Sequence, residues 1–253
     1  MTPPLVGPAQ AEAFVRDGYF VLERAVDAPT LDLLRAEADL GIADEAARIR
    51  SGDPGFVPVS VLHDRYVVTG RARQSAGLRR FLVSELTAAI CRATVGADAW
   101  LFSETFVCKE PRNRRGWVWH QDSAYLVHAG FRDHPPNLSA WIAIDRMTED
   151  NGTLQLLPWS VTGIRSVVDH DLDRPWDSEV ASFGAHEPVT LPIEAGGIVV
   201  FSGLVPHASP PNRTDERRRA YLLQFSSRPV ERDGRPFQLA VPVLRAGALQ
   251  PAW

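Results

Sequence analysis

The pattern of apolar and polar positions divides the chain into a helical first part and a strand-rich second part. Behind Thr30, apolar residues recur at nearly helical spacing, at Leu31, Leu34, Ala38 and Ile42. This spacing predicts a helix with Thr30 as its cap. The segment 75–95 predicts a second helix, and the run "YFVLERAV" ahead of Thr30 predicts a short strand. We therefore expect residues 1–98 to form a mainly helical support region.

From Trp100 onward, short β-rich runs alternate with turn signals. These runs are "WLFSETFVCKE", "WVWHQDSAYLV", "NLSAWIAID", "TLQLLPWS", "HEPVTLP", "GGIVVFSG" and "RAYLLQFSS". Many short strands with little helix between them are typical of an antiparallel sandwich or barrel. We expect one domain over residues 1–253, with its β-core at 99–230. The stretch 161–187 separates two strands, and loops of this length are often functional lids.

Composition excludes several classes of partner. The chain has 253 residues, 45% of them hydrophobic, and a formal net charge of -4, so nucleic acid and anionic membranes are not expected as partners. Cys91 and Cys108 have no metal-type spacing and read as reduced thiols. Because no signal peptide and no membrane-length apolar run is evident, we expect a cytoplasmic protein.

The stretch "WVWHQDSAY" places two costly polar side chains among large apolar ones. In a strand, positions i and i+2 share a face, which would direct His120 and Asp122 together and turn Gln121 away. His207 follows a buried strand and a short exit, "GGIVVFSGLVP", so it can face the same space. Two histidines and one carboxylate with open coordination positions form the facial triad of non-haem Fe(II) oxygenases. A structural zinc site would be closed by four protein ligands.

An arginine triplet opens a strand shortly after His207. If 2-oxoglutarate is the co-substrate, its distal carboxylate requires a buried cation, for which the arginine fork is well suited. Because side chains alternate between the two faces of a strand, either Arg218 or the pair Arg217 and Arg219 points inward. The small neighbours of Arg218 favour Arg218. Ser209 could share the same carboxylate. Structural alternatives remain open: a hydrogen-bonded His–Asp pair, a solvated arginine strand start and a serine that caps a turn.

Four blocks in this order resemble the phytanoyl-CoA dioxygenase (PhyH-like) family of Fe(II)/2-oxoglutarate oxygenases. The blocks are "FVRDGYFVLERAVDAPTLDLLRAEAD", "VCKEPRNRRGWVWHQDSAYL", "LSAWIAIDRMTEDNGTLQLLPWS" and "HEPVTLPIEAGGIVVFSGLVPHASPPNRTDERRRAYLLQF". In the last block, a serine, an asparagine and an arginine follow the histidine by two, five and eleven residues, and the arginine is Arg218.

The resemblance implies a double-stranded β-helix (jelly-roll) core, mainly β, with flanking N-terminal helices. It also implies that iron is held by the His–Asp–His set and that O₂ is consumed together with 2-oxoglutarate. The residues it implies at the co-substrate are Arg218, Ser209, Trp141 and Lys109. The sequence departs from the family at 158–161, which read Pro-Trp-Ser-Val where Pro-Gly-Ser-His is common.

The substrate is expected to be a small or polycyclic organic metabolite bound by a monomer or homodimer. Its contacts are expected to include Trp159, His170, Arg65 and Trp176. Hydroxylation in secondary-metabolite tailoring is the expected reaction, and epimerisation, desaturation or oxidative cyclisation would use the same residues. The alternatives are a metal-dependent cupin-type enzyme without 2-oxoglutarate and a catalytically silent binding module on the same fold.

Overall fold

The computed structural model describes residues 5–52, 60–173, 178–180 and 182–253. Its α-helices are α1 Pro8–Asp17, α2 Ala28–Ser51, α3 Ala76–Leu82, α4 Glu85–Thr94, α5 Asp122–His128 and α6 Trp159–Thr162, with a short 3-10 helix at Arg71–Gln74. Its first eight strands are β1 Tyr19–Leu22, β2 Arg65–Thr69, β3 Ala99–Lys109, β4 Trp117–His120, β5 Asn137–Ala143, β6 Leu154–Leu156, β7 Asp171–Asp173 and β8 Ser178–Val180. The remaining strands are β9 Val189–Leu191, β10 Ile198–Ser202, β11 His207–Ser209, β12 Arg218–Ser226, β13 Glu231–Arg232, β14 Arg235–Pro236, β15 Val241–Arg245 and β16 Ala248–Leu249.

The N-terminal helices differ in two details from the predictions. Helix α2 is capped by Asp27 rather than Thr30, because the Asp27 carboxylate accepts a hydrogen bond from the Thr30 backbone N–H at 2.9 Å. The single helix predicted at 75–95 is two helices. Helix α3 ends before Val83, whose backbone leaves the helical region, and Ser84 caps the start of α4 through the Thr87 N–H.

The large sheet contains eight strands in the order β1-β10-β5-β12-β3-β15-β16, and β2 also pairs with β3. Strand β3 therefore borders β12 on one edge and shares its other edge between β2 and β15. Strands β1, β2, β15 and β16 lie outside the range 99–230 that was predicted for the β-core, so the sheet draws on both flanking regions. One face of this sheet packs on α2, α3 and α4 in the main hydrophobic core.

A second sheet of four strands, β4-β11-β6-β9, covers the opposite face of the large sheet. Side chains of both sheets meet in one buried cluster, in which Trp141, Val199 and Phe201 of the large sheet pack with Leu154 and Leu156 of the small one. The predicted fold class is confirmed: the protein is mainly β, with a jelly-roll core and flanking helices. In the small sheet, the end of β4 lies beside the start of β11, which brings His120 next to His207.

The predicted lid region is partly regular structure. It contains the end of α6 and the β7–β8 hairpin, and the segment 164–170 lies between them. Within the described ranges, no helix is long and apolar enough to cross a membrane.

Candidate metal centre and cation row

Three buried side chains converge where the small sheet ends. His120 is the last residue of β4 and is the register partner of His207, the first residue of β11. The Nε2 atoms of His120 and His207 lie 3.7 Å and 3.6 Å from Oδ1 of Asp122. All three possible ligand atoms lie within 4.8 Å of one another. The predicted ligand residues are therefore brought together in one cluster.

The local structure of this cluster differs from the prediction. Strand β4 stops at His120, Gln121 keeps an extended backbone, and Asp122 begins helix α5. The prediction that a single strand carries His120 and Asp122 on one face was wrong. The two side chains still meet because the first turn of a helix returns its side chains toward the residues that precede it, where the imidazole lies.

Backbone carbonyls orient both imidazoles. Nδ1 of His120 lies 2.7 Å from the Val118 carbonyl oxygen, and Nδ1 of His207 lies 3.1 Å from the Val205 carbonyl oxygen. These bonds hold the proton on Nδ1 and leave Nε2 as a free electron-pair donor toward Asp122. Burial, followed by the neighbouring His207, lowers the pKa of His120 to about 3, so this ring is neutral at pH 7. A neutral imidazole held in this orientation is suited to bind a metal ion.

The Asp122 carboxylate is oriented by a hydroxyl from the large sheet. Its Oδ2 accepts a hydrogen bond from the Ser139 hydroxyl on β5, and the Gln224 side-chain amide on β12 donates to that hydroxyl at 3.3 Å. Ser139 is fully buried. The carboxylate thus has one oxygen directed at the two imidazoles and the other held by the sheet.

Ser139→Ala is expected to weaken metal binding by about 10-fold, because partners of metal ligands typically contribute about 10–100-fold to affinity. Titration of the metal-free protein with Co(II), followed by visible absorption, would measure the change. Ser226→Ala is the matched control, since Ser226 is equally buried and its hydroxyl donates to the Arg228 carbonyl instead. Equal Co(II) affinity in Ser139→Ala and wild type would show that Asp122 is oriented without this bond.

A second cluster consists of three cations in a row across adjacent strands. Arg65 on β2 and Arg218 on β12 are both register partners of Lys109 on β3. We call these three residues the cation row. Their exposed fractions are 1% for Arg65, 0% for Lys109 and 0% for Arg218. An isolated buried charge costs several kcal/mol, so a row of this kind requires compensation.

Neutral oxygens and the Trp117 ring supply part of this compensation. The Lys109 ammonium donates to the Ser209 hydroxyl at 2.6 Å, to the Ser209 carbonyl at 2.9 Å and to the Pro210 carbonyl. Arg218 Nη2 donates to the same hydroxyl at 3.1 Å. Trp117 also contacts this row, because Lys109 Nζ lies 5.2 Å from its ring centroid. Ser209 therefore joins two of the cations.

Gly152, in the turn before β6, contacts Ser209 and Lys109. Its carbonyl accepts from the Ser209 hydroxyl at 2.7 Å and lies 3.3 Å from Lys109 Nζ. The residue has φ +73, and a Cβ there would lie 1.9 Å from the Pro210 carbonyl oxygen. Both the backbone angle and the close approach therefore require glycine.

Part of the Arg218 guanidinium is not hydrogen-bonded to any of the described residues. Its Nε and Nη1 atoms are buried and have no hydrogen-bond partner among the described residues. Burial lowers the pKa of Arg218 to about 10, which still leaves it charged at pH 7. Burial and then the adjacent Arg218 also lower the pKa of Lys109. A buried, charged guanidinium with vacant N–H groups is suited to bind a carboxylate.

Alternation in β12 separates Arg218 from its neighbour. Arg219 lies on the other face and forms ion pairs with Asp145 at 2.9 Å and Asp39 at 3.0 Å. The outward Arg219 is accordingly balanced by carboxylates, whereas the inward Arg218 faces a serine and Trp141. The Arg218 guanidinium carbon lies 5.3 Å from the Trp141 ring centroid.

The four residues predicted to contact substrate are dispersed. Trp159 packs against Phe14 of α1, with ring centroids 6.3 Å apart, and the Arg165 guanidinium carbon lies 4.4 Å from the Trp159 ring centroid. Arg65 belongs to the cation row and donates to the Gly116 carbonyl at 3.1 Å. His170 is buried, with both ring nitrogens engaged by the protein. Trp176 lies outside the described residues.

Two residues that sequence reasoning did not single out are central to the geometry. Ser139 shares a sheet face with Trp141, two residues later, and that parity could have indicated a hydroxyl directed toward the same interior. Gln121 was expected only to turn away from the ligands. It is fully buried, and a buried amide between two ligand candidates is itself a signal of a structural role.

These features agree with a match to the protein-family model described as "Phytanoyl-CoA dioxygenase (PhyH)", which spans residues 14–220. The chain belongs to this family. The matched range contains the complete His–Asp–His cluster and the cation row. The resemblance seen in the sequence is therefore confirmed.

Relatives and solved structures agree with this assignment. Methylphosphonate hydroxylase from Gimesia maris is 31% identical over 152 residues, which is 60% of this chain and 55% of that protein. The chain spans about half the length of the first curated relatives that it matches. Two solved structures share the fold. The carbocyclase SnoK from nogalamycin biosynthesis has a TM-score of 0.68 at 17% identity, covering 88% of this chain and 85% of that one. EctD from S. alaskensis with 2-oxoglutarate and 5-hydroxyectoine has a TM-score of 0.68 at 20% identity, covering 100% of this chain and 87% of that one.

Proposed function

We propose that the protein is a non-haem Fe(II)/2-oxoglutarate-dependent oxygenase that acts on a small organic metabolite. The observation that carries this proposal is the buried Arg218 guanidinium with two vacant donors, which contacts Ser209 on the strand that begins with the candidate ligand His207. Two histidines and one carboxylate suit Fe(II) and leave coordination positions open. The donor set and the vacant guanidinium therefore fit iron and 2-oxoglutarate together.

Each residue has a distinct part in this proposal. His120, Asp122 and His207 would hold the iron, and Arg218 with Ser209 would bind the distal carboxylate of 2-oxoglutarate. Together the bound iron and co-substrate would use O₂ to oxidise an unactivated C–H bond of the substrate. Lys109 keeps the Ser209 hydroxyl in place beside the carboxylate. The burial of these side chains excludes water from the reacting region.

The inner face of the large sheet supports a neutral substrate. Beyond the cation row, the inward positions of β2, β3 and β12 carry neutral side chains, and three of them in register, with the next inward residue of β12, define what we call the chamber face. These four are Thr69, Thr105, Leu222 and Gln224. Leu222 and Gln224 are half-buried, whereas Tyr221, Leu223 and Phe225 on the outer face have 0% exposure. At Leu222 and Gln224 the inner face of β12 is thus more open than the outer face, which favours a cavity within the barrel.

This chamber face favours a particular substrate class. Hydroxyl, amide and aliphatic groups can bind hydroxyl or carbonyl groups on an apolar skeleton, but they offer no cation for an acyl-CoA phosphate. The carbocyclase SnoK is named for a natural-product pathway, and the fold is shared with it. We infer that the reaction is the hydroxylation of a secondary metabolite. The same residues would also serve epimerisation, desaturation or oxidative cyclisation.

The test is to add Fe(II) and 2-oxoglutarate anaerobically to the metal-free protein and record the visible spectrum. A weak charge-transfer band that requires both additions is expected, because 2-oxoglutarate would be chelated at iron. Fe(II) with succinate is the control and should give no band. A folded protein that shows no band at saturating concentrations would refute the assignment of the co-substrate. If the band appears, succinate release with candidate metabolites would identify the substrate.

A further inference from the structure

The peptide between His120 and Asp122 carries a residue that the proposed chemistry does not use. Gln121 has φ -115 and ψ 133, and it links the end of β4 to the start of α5. Its exposed fraction is 0%. Because two candidate ligands flank this residue, its backbone conformation determines how their side chains meet.

The Gln121 side chain binds two other parts of the chain. Its Nε2 donates to the Leu204 carbonyl at 2.7 Å and to the Ser166 carbonyl at 2.9 Å, and its Oε1 accepts from the Val168 N–H at 2.9 Å. Leu204 lies three residues before His207, in the turn between β10 and β11. A single amide thus connects the peptide that carries two ligands with the turn that leads to the third.

His170 completes this arrangement from the covering segment 164–170. Its Nε2 accepts a hydrogen bond from the Gln121 backbone N–H at 3.0 Å, and its Nδ1 lies 2.7 Å from the Val168 carbonyl. An imidazole that accepts at Nε2 and donates at Nδ1 is in one neutral tautomer. His170 also packs edge-on against Phe183, with ring centroids 5.9 Å apart. Burial lowers its pKa, in agreement with the neutral form.

Apolar packing supports the same contact. Trp119 of β4 packs with Leu157, Phe183, Ile164 and Val168 in a small hydrophobic cluster. The covering segment is therefore held by apolar contacts on one side and by the Gln121 and His170 hydrogen bonds on the other. Those hydrogen bonds are the ones that reach the peptide between the ligands.

We propose that Gln121 and His170 are positioning residues that make metal affinity depend on the seating of segment 164–170. This inference rests on the proposed function, since it takes the His–Asp–His cluster as the metal site. When the segment is seated, His170 and Gln121 hold the peptide in the conformation that brings His120 and Asp122 together. When the segment leaves, the Gln121 N–H loses His170 and the side-chain amide keeps only the Leu204 carbonyl, so the ligands lose their alignment. The segment is accordingly a determinant of metal binding as well as a cover.

Three substitutions of His170 separate its two contacts. Glutamine can place an amide oxygen near the Nε2 position and retain acceptance from the Gln121 N–H, whereas asparagine reaches the Nδ1 position and alanine reaches neither. We expect His170→Ala and His170→Asn to bind Co(II) about 10-fold more weakly than wild type. His170→Gln is expected to remain within about 3-fold of wild type, since the supporting hydrogen bond is retained. The exposed His186 provides the matched control, His186→Ala.

Two further readouts separate positioning from a general structural role. Thermal unfolding of the metal-free variants reports structural damage, and trypsin cleavage after the exposed Arg165 reports the seating of the segment. We expect faster cleavage in His170→Ala and His170→Asn than in His170→Gln. If His170→Ala does not fold, Gln121→Glu removes the two donated bonds with the same side-chain shape, and the same 10-fold loss is expected.

The possible outcomes are distinct. Wild-type Co(II) affinity in a folded His170→Ala with lowered thermal stability would overturn the proposal, because the residue would then be structural only. Rescue by asparagine and not by glutamine would also overturn it, because the Gln121 contact would not be the one that matters. If wild-type protein binds no Co(II), the metal site itself fails, and this inference fails with it.

Discussion

Asp122→Ala is expected to lower metal affinity by about 1000-fold and to abolish 2-oxoglutarate-dependent turnover. Loss of a residue that hydrogen-bonds to a metal ligand typically lowers metal affinity by about 10–100-fold, and this change removes the ligand itself. The remaining pair, His120 and His207, supplies two neutral nitrogens and no negative charge to balance a divalent cation. Co(II) titration measures the affinity, and succinate formation with saturating Fe(II) measures the turnover.

Asp169→Ala is the matched control for this experiment, because Asp169 is exposed and belongs to the covering segment near the site. It should bind Co(II) like wild type. A folded Asp122→Ala that retains both metal affinity and turnover would refute the assigned metal site. If neither wild type nor Asp122→Ala turns over substrate, and Asp122→Ala retains the affinity of wild type for a small-molecule ligand, the silent binding module is favoured instead.

Arg218→Leu is expected to raise the 2-oxoglutarate concentration for half-saturation by about 100- to 1000-fold. A buried carboxylate that loses its partner is destabilised by about 3–4 kcal/mol, and each 1.4 kcal/mol is about tenfold in affinity. Co(II) affinity should not change, because Arg218 contacts Ser209 and Gly152 rather than the three ligand candidates. The anaerobic charge-transfer band, titrated with 2-oxoglutarate, measures the effect.

Two companion variants make the Arg218 result specific. Arg218→Lys keeps the charge but loses the planar fork, so its half-saturation should lie between those of wild type and Arg218→Leu. Arg219→Leu removes the adjacent arginine and its ion pairs with Asp145 and Asp39. It should lower thermal stability and leave the 2-oxoglutarate titration unchanged. If Arg218→Leu binds 2-oxoglutarate normally, or turns over substrate without it, the 2-oxoglutarate-independent enzyme becomes the better explanation.

The arginine triplet shows how much of the site can be predicted from local geometry. Period-two alternation is a property of any extended strand, so one parity of 217–219 had to face the interior. The small residue at 220 favoured Arg218, and the structure places Arg218 at 0% exposure and Arg219 against Asp145. An antiparallel sandwich or barrel could be predicted for a similar reason, because short strands and turns are encoded by neighbouring residues, whereas the jelly roll was implied by the family resemblance.

The secondary structure predicted from neighbouring residues was wrong where a distant contact decides the backbone conformation. The stretch 117–127 has strand-like composition, yet it changes to helix α5 at Asp122. The Gln121 side chain at that change is held by the Leu204 and Ser166 carbonyls. The helix predicted at 75–95 was divided for a local reason that was overlooked, since Ser84 is a good cap for a new helix.

The sequence by itself determined which chemical groups this protein has and their order: the His-x-Asp pair, the later histidine, and the arginine eleven residues beyond it. It also determined an antiparallel sandwich or barrel, since alternation and turns are local, and its resemblance to the PhyH-like family implied the jelly roll. Only the tertiary structure decided how the groups are oriented. The bond from Ser139 to Asp122 spans 17 positions, that from Gln121 to His170 spans 49, and that from Gln121 to Leu204 spans 83. Contacts between residues so far apart depend on the packing of whole sheets and loops, which no local pattern of residues specifies.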